Sequence, residues 1–193
     1  KMMEHQGEGF KDKKVVISGS GNVAQYAAEK AIQLGAKVLT LSDSSGYILD
    51  TDGIDEEKLA HIMMLKNKRR ERISVYLDKY PKATFIPGKK PWEVACEIAL
   101  PCATQNELQE KDADLLIKNG CRCVGEGANM PATPEAIHKF TDHKILYAPG
   151  KASNAGGVAV SGLEMAQNSL RYNWTREQVD DKLLRQVLRK VLA

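Results

Sequence analysis

Lys14–Ser18 is a short apolar run that stops against Gly19-Ser20-Gly21-Asn22-Val23-Ala24, and a helical pattern begins at Asn22. A strand that turns on two glycines straight into a helix leaves few folds open. Gly19 permits the tight turn, Gly21 lets the backbone approach a ligand closely, and Ala24 keeps the helix near the sheet. The helix expected over Asn22–Leu34 ends at Gly35, where a C-terminal glycine belongs, and Lys37–Ser42 follows as a second strand. In this strand–turn–helix context G-x-G-x-x-A is a dinucleotide-binding fingerprint. The first turn of such a helix offers unpaired N–H groups and partial positive charge to a pyrophosphate.

Beyond this unit, strand-like and helix-like segments keep alternating, which predicts an α/β, Rossmann-like, doubly wound fold with a mostly parallel sheet and helices on both faces. "SSGYILDTDG" carries turn residues at both ends and is expected to form a short hairpin. Asp55 is expected to cap a long helix reaching Arg72, with a second helix to Lys79. Further strands are expected at Ala83–Ile86, Glu97–Leu100, Cys123–Gly125 and Ile145–Ala148. Helices are expected over Asp112–Asn119, from about Thr133, and from Val158 onward. A break near Asn173–Thr175 precedes a last helix, where Thr175 and Gln178 have the spacing of a capping box.

The chain has 193 residues, enough for one α/β domain with a real core. A formal charge of +3 is far short of a nucleic-acid-binding balance, and no apolar run is long enough to span a membrane. Neither nucleic acid nor membrane is therefore an expected partner. Cys96, Cys102, Cys121 and Cys123 fit a reducing, cytoplasmic compartment. With no histidine near Cys121 and Cys123, structural thiols are expected rather than a metal site. The chain opens at Lys1 within a polar stretch and stops within a helical run, so a piece of a longer protein is expected.

Asp43 ends the second strand, where an acid accepts hydrogen bonds from ribose hydroxyls and so favours NAD. Yet Ser44 and Ser45 follow it, and "LKNKRRER" supplies Lys66, Lys68, Arg69, Arg70 and Arg72 downstream. Lys66 and Arg69 are three residues apart, so on an α-helix they would share a face and could meet a 2′-phosphate. A solvated basic surface explains the same charges equally well. On the residues alone, NADP and NAD both stay open.

Three loops each follow an expected strand: "ALPCATQNEL", "GEGANMP" and "APGKASNAGGVAVSGLEM". In an open parallel sheet these loops should line one crevice at the strands' carboxyl ends. Together with "SGSGNVAQYAAEK" and "SDSSG", they resemble the cofactor domain of the bacterial-type, hexameric glutamate dehydrogenases, along essentially the whole chain. The leucine and phenylalanine dehydrogenases are similar but match these loops less closely.

The resemblance implies that Asn22, with Ser20 and Val23 beside it, binds the cofactor within the glycine loop. Ala103 and Thr104 would touch the cofactor, Asn129 would lie near the nicotinamide ribose, and Asn154 would hold the nicotinamide amide. Ser161 would donate to the side-chain carboxylate of glutamate, with Val158 packed nearby. S-D-S with a basic pair spaced as Lys66 and Arg69 are resembles the NADP-specific members, so NADP is expected and NAD is the alternative. The implied reaction is reversible oxidative deamination of L-glutamate to 2-oxoglutarate and ammonium by a homohexamer. The family's catalytic lysine and aspartate match nothing here, so a preceding domain is expected to hold them and the chain alone to be inactive. A dehydrogenase for an apolar amino acid and a non-catalytic nucleotide sensor are the competing readings.

Overall fold

The computed structural model describes residues 2–183 and Arg185. After a 3₁₀ turn at Glu4–Gln6 come β1 (Lys14–Ile17), α1 (Asn22–Gln33), β2 (Lys37–Asp43), β3 (Gly46–Ile54) and α2 (Glu56–Met63). Then follow α3 (Tyr76–Lys79), β4 (Thr84–Pro87), β5 (Ile98–Leu100), α4 (Glu110–Lys118), β6 (Cys123–Gly125) and α5 (Pro134–Asp142). β7 (Leu146–Ala148), α6 (Gly150–Ser153), α7 (Ala155–Leu170) and α8 (Arg176–Leu183) close the described chain. The rest of the expected last helix lies outside the described residues.

The seven strands form one sheet in the order β4-β3-β2-β1-β5-β6-β7. β1 pairs in parallel with β2 and β5, and β6 pairs in parallel with β5 and β7. β3 is antiparallel to both its neighbours. The expected mostly parallel, doubly wound Rossmann-like sheet is what forms. Its direction of growth reverses between β1 and β5, which opens a crevice at the carboxyl ends of those two strands.

β1 shows why two faces are covered. Its side chains alternate, so Val15 and Ile17 enter a core with Ala24, Ala28 and Ile62, while Val16 enters another with Trp92, Leu116 and Phe140. Helices on both faces make each core dry. Such parallel strands read as unbroken apolar runs for that reason.

Two expectations fail. "SSGYILDTDG" is no self-contained hairpin: Ser44 and Ser45 make the turn, and Gly46–Ile54 is a single strand paired back on β2. Asp50 would be a turn residue if solvated. Instead it is buried, with its carboxylate 2.8 Å from Lys58 Nζ and 2.7 Å from the Tyr76 hydroxyl, and this pairing keeps it in the strand. The long helix also ends early. Asp55 caps it as expected, accepting from the Lys58 N–H, but Met64–Arg69 loosens into a π-helical turn and Arg70 adopts a left-handed conformation. Arg72 is thereby released from the helix. The remaining boundaries agree to within a few residues, and Thr175 and Gln178 exchange the expected capping bonds of 2.9 and 3.3 Å.

Candidate functional site

A cleft of about 630 Å³ lies at the carboxyl ends of β1, β2 and β5. Gly19, Ser20, Gly21, Asn22, Val23, Asp43, Ser44, Ala103 and Thr104 all line it. The loop between β1 and α1 and the first two residues of α1 supply the first five, and the segments following β2 and β5 supply the rest, with Asp43 the last residue of β2.

The two glycines of the opening loop have different reasons to be glycine. Gly19 has φ +83°, and a Cβ there would meet the Cys102 carbonyl oxygen at 2.9 Å. Gly21 is the N-cap of α1, with no side-chain cap, and a Cβ there would meet nothing within 4 Å. The first-turn N–H groups thus face an open concavity, which suits the pyrophosphate of a dinucleotide. Gly127 packs behind two residues of the cleft wall: a Cβ would come within 2.5 Å of Cys102 Sγ and 3.0 Å of Val23 Cγ1.

At the end of β2, Asp43 is fully engaged by the protein. Its Oδ1 accepts from Ser45 N–H at 2.9 Å and from the Ser45 hydroxyl at 2.5 Å. Its Oδ2 accepts from Lys66 Nζ at 3.0 Å and from Ile73 N–H at 2.8 Å. Burial pushes its carboxyl pKa up, but these donors outweigh that and hold it at about 2. Lys66 also donates to the Glu71 carbonyl, at 2.9 Å.

The structure gives the two members of the expected basic pair different partners. In a π-helical turn the hydrogen bonds run from i to i+5, so residues three apart no longer superpose. Arg69 points to Glu71, 4.0 Å away, and is mostly exposed. Arg72, freed by the reversal at Arg70, instead donates from Nη1 to the Ser44 hydroxyl at 2.5 Å. Lys66 and Arg72 are the cations that the fold brings to Asp43-Ser44-Ser45.

Three supporting residues are not among the sequence candidates. Gln25, fully buried on α1, donates to the Ser20 carbonyl at 2.7 Å and exchanges two amide bonds with Asn67, which ties the glycine loop to the basic turn. Glu107 Oε1 accepts from the Ser18 hydroxyl at 2.8 Å and from Ala103 N–H at 2.9 Å. Burial raises its pKa, opposed by donors from Ala103, Ser18 and Thr104. Glu126 accepts from Gly150 N–H at 2.7 Å and Ala132 N–H at 3.2 Å, joining the loops after β6 and β7. A sequence signal did exist: all three are polar residues inside or beside the loop motifs, at positions that fold inward.

Those same two loops bring Asn129 and Asn154 together, with a side-chain hydrogen bond of 2.7 Å. Val158 and Ser161 stand outside the cleft lining on α7, where Val158 is 77% exposed. Cys96, Cys102, Cys121 and Cys123 are buried free thiols. Burial pushes the Cys102 thiol up to about 12, so it lines the cleft as an unreactive packing group. Among the described residues, no group of three or more His, Cys, Asp or Glu is placed to hold a metal, and no helix is long and apolar enough to cross a membrane.

The sheet order and the crevice at its switch point define a Rossmann-like α/β domain. The chain belongs to the Glutamate/Leucine/Phenylalanine/Valine dehydrogenase family, whose model matches residues 1–192. It is 59% identical over 182 residues to a glutamate dehydrogenase of Bacteroides thetaiotaomicron, covering 94% of this chain and 41% of that protein. It is 58% identical over 177 residues to an NADP-specific glutamate dehydrogenase of Giardia intestinalis, covering 90% of this chain and 39% of that one. The crystal structure of Plasmodium falciparum glutamate dehydrogenase superposes with a TM-score of 0.93 at 48% identity, covering 98% of this chain and 40% of that chain. The sequence thus spans about 40% of the length of these relatives.

Proposed function

We propose that residues 1–193 are the dinucleotide-binding, C-terminal domain of an NADP-linked glutamate dehydrogenase. The observation that carries the cofactor assignment is the saturation of Asp43. All four of its hydrogen bonds come from the protein, so the carboxylate has little capacity left for a ribose diol. Lys66 offsets its charge, and the Arg72 guanidinium beside Ser44 makes the local balance positive. A phosphate fits that rim better than a bare hydroxyl pair does.

In this reading the α1 N-terminus and Gly21 hold the pyrophosphate, and Ser44, Lys66 and Arg72 hold the 2′-phosphate. Ala103, Thr104, Asn129 and Asn154 orient the nicotinamide half. When bound, the nicotinamide supplies the hydride chemistry, and this domain's residues position it and exclude water. The overall reaction is reversible oxidative deamination of L-glutamate to 2-oxoglutarate and ammonium. Ser161, with Val158 beside it, is assigned to the substrate side. Their exposure on α7 agrees with a facing domain that completes the site and holds the catalytic groups, so this chain alone would bind cofactor without turnover. We infer a homohexamer and a cytoplasmic location as well; the family likeness supports the first, and four buried free thiols agree with a reducing compartment.

The test is cofactor discrimination by basic variants. The double change Lys66→Ala with Arg72→Ala should weaken NADPH binding far more than NADH binding, by roughly 10²-fold or more for two charged contacts. Arg69→Ala should leave the NADPH dissociation constant within about twofold, because solvent screens an exposed cation. Equal losses for both cofactors in the double variant would contradict the phosphate assignment.

A further inference from the structure

β1 and β5 are paired along the sheet, and beyond their last pair a buried acid ties the loop after β5 to the end of β1. Ser18 ends the β1 side. Its N–H reaches the Leu100 carbonyl at 3.3 Å, and its hydroxyl accepts from Cys102 N–H at 2.9 Å while donating to Glu107 Oε1 at 2.8 Å. Glu107 then takes Ala103 N–H at 2.9 Å on that same oxygen. One carboxylate and one hydroxyl thus clasp residues 102–103 to the end of β1, across the point where the sheet reverses. Glu107 lies 89 residues from Ser18 in sequence, is 8% exposed, and lines the cleft itself.

We propose that Glu107 is a positioning residue: it fixes the Ala103–Thr104 segment for the nicotinamide half of the dinucleotide and has no part in binding the adenosine half. This rests on the cofactor reading above. The asymmetry follows from placement. The adenosine-side groups, Gly21, Asp43, Lys66 and Arg72, are held by α1, by β2 and by the Gln25–Asn67 amide pair, none of which bonds to Glu107. Without the carboxylate, Ala103 N–H loses its acceptor at the cleft wall, and Ala103–Thr104 loses the bond that fixes it beyond Cys102.

The test compares two probes on the 193-residue chain, NADPH and adenosine 2′,5′-bisphosphate, by titration calorimetry. For Glu107→Ala NADPH binding should weaken about tenfold or more, on the order of losing the charged acceptor of Ala103 N–H and of the buried Ser18 hydroxyl. Binding of the bisphosphate should stay within about twofold, which also certifies that the variant is folded. Glu107→Gln keeps an oxygen for Ala103 N–H and should recover most of the NADPH affinity. Equal weakening of both probes would show a merely structural role and overturn the proposal, as would unchanged NADPH binding in Glu107→Ala. Failure of the unmodified chain to bind either probe would instead overturn the cofactor reading, and this inference with it.

Discussion

Asp43 shows how a residue's chemistry can be reversed by its surroundings. At the end of a Rossmann β2 an acid ordinarily selects a ribose diol, yet here the carboxylate is turned inward onto Ser45, Lys66 and Ile73. Its role becomes that of an organiser, holding the basic turn against the loop that Arg72 reaches. A pH dependence follows. The folded-state pKa of about 2 lies below the ordinary value of 3.8, so the stabilisation is fully present above about pH 4 and is lost as pH falls toward 2. Chemical denaturation of the unmodified chain and of Asp43→Asn should therefore differ by roughly 1–3 kcal/mol at pH 6. That difference should shrink as the pH is lowered from 4 to 2. A gap that stays constant over the whole range would mean that the charge of Asp43 contributes nothing.

Among the elements, the glycine-bearing loops divide into those that shape the protein and those that leave room for something else. Gly127→Ala places a methyl 2.5 Å from Cys102 Sγ, and Gly21→Ala places one in open space. Overpacking of this kind costs about 1–3 kcal/mol, so Gly127→Ala should lower the melting temperature by several degrees. Gly21→Ala should leave the melting temperature within about two degrees, since the cap loses no side-chain bond, while weakening NADPH binding. A large loss of stability in Gly21→Ala, or unimpaired binding, would show that the concavity is not a ligand site. The same division explains what could be read beforehand. β1, the opening turn and α1 were legible because the positive φ of Gly19 and the spacing of G-x-G-x-x-A are properties of a few adjacent residues. The basic turn was not. Whether Arg69 or Arg72 reaches Ser44 depends on the widening at Met64–Arg69 and the reversal at Arg70, and an α-helical period cannot express either. Asp50 misled for a related reason: its partners Lys58 and Tyr76 lie on elements that meet β3 only after folding. Glu107, Gln25 and Glu126 each pair with a residue four to six positions away, but their links to Ser18, Asn67 and Gly150 exist only once the chain has folded.

For the whole molecule, the sheet reversal between β1 and β5 gathers loops from residues 19–23, 43–45 and 102–104 into one cleft, and the basic turn closes its β2 end. On the proposed reading this cleft takes an NADP-type dinucleotide. α7 adds a second aspect, since Val158, Met165 and Leu170 are exposed on it, as a surface facing a further domain would be. On the proposed reading turnover belongs to that domain, so binding is the proper test for this chain. The most direct measurement is calorimetric titration of the 193-residue chain with NADPH and, separately, with NADH. NADPH should bind saturably and one-to-one, NADH should bind more weakly by about tenfold or more for want of the phosphate contacts, and the preference should narrow as salt is raised. No heat of binding from NADPH at millimolar concentration, or an NADH affinity equal to or above that of NADPH, would contradict that reading.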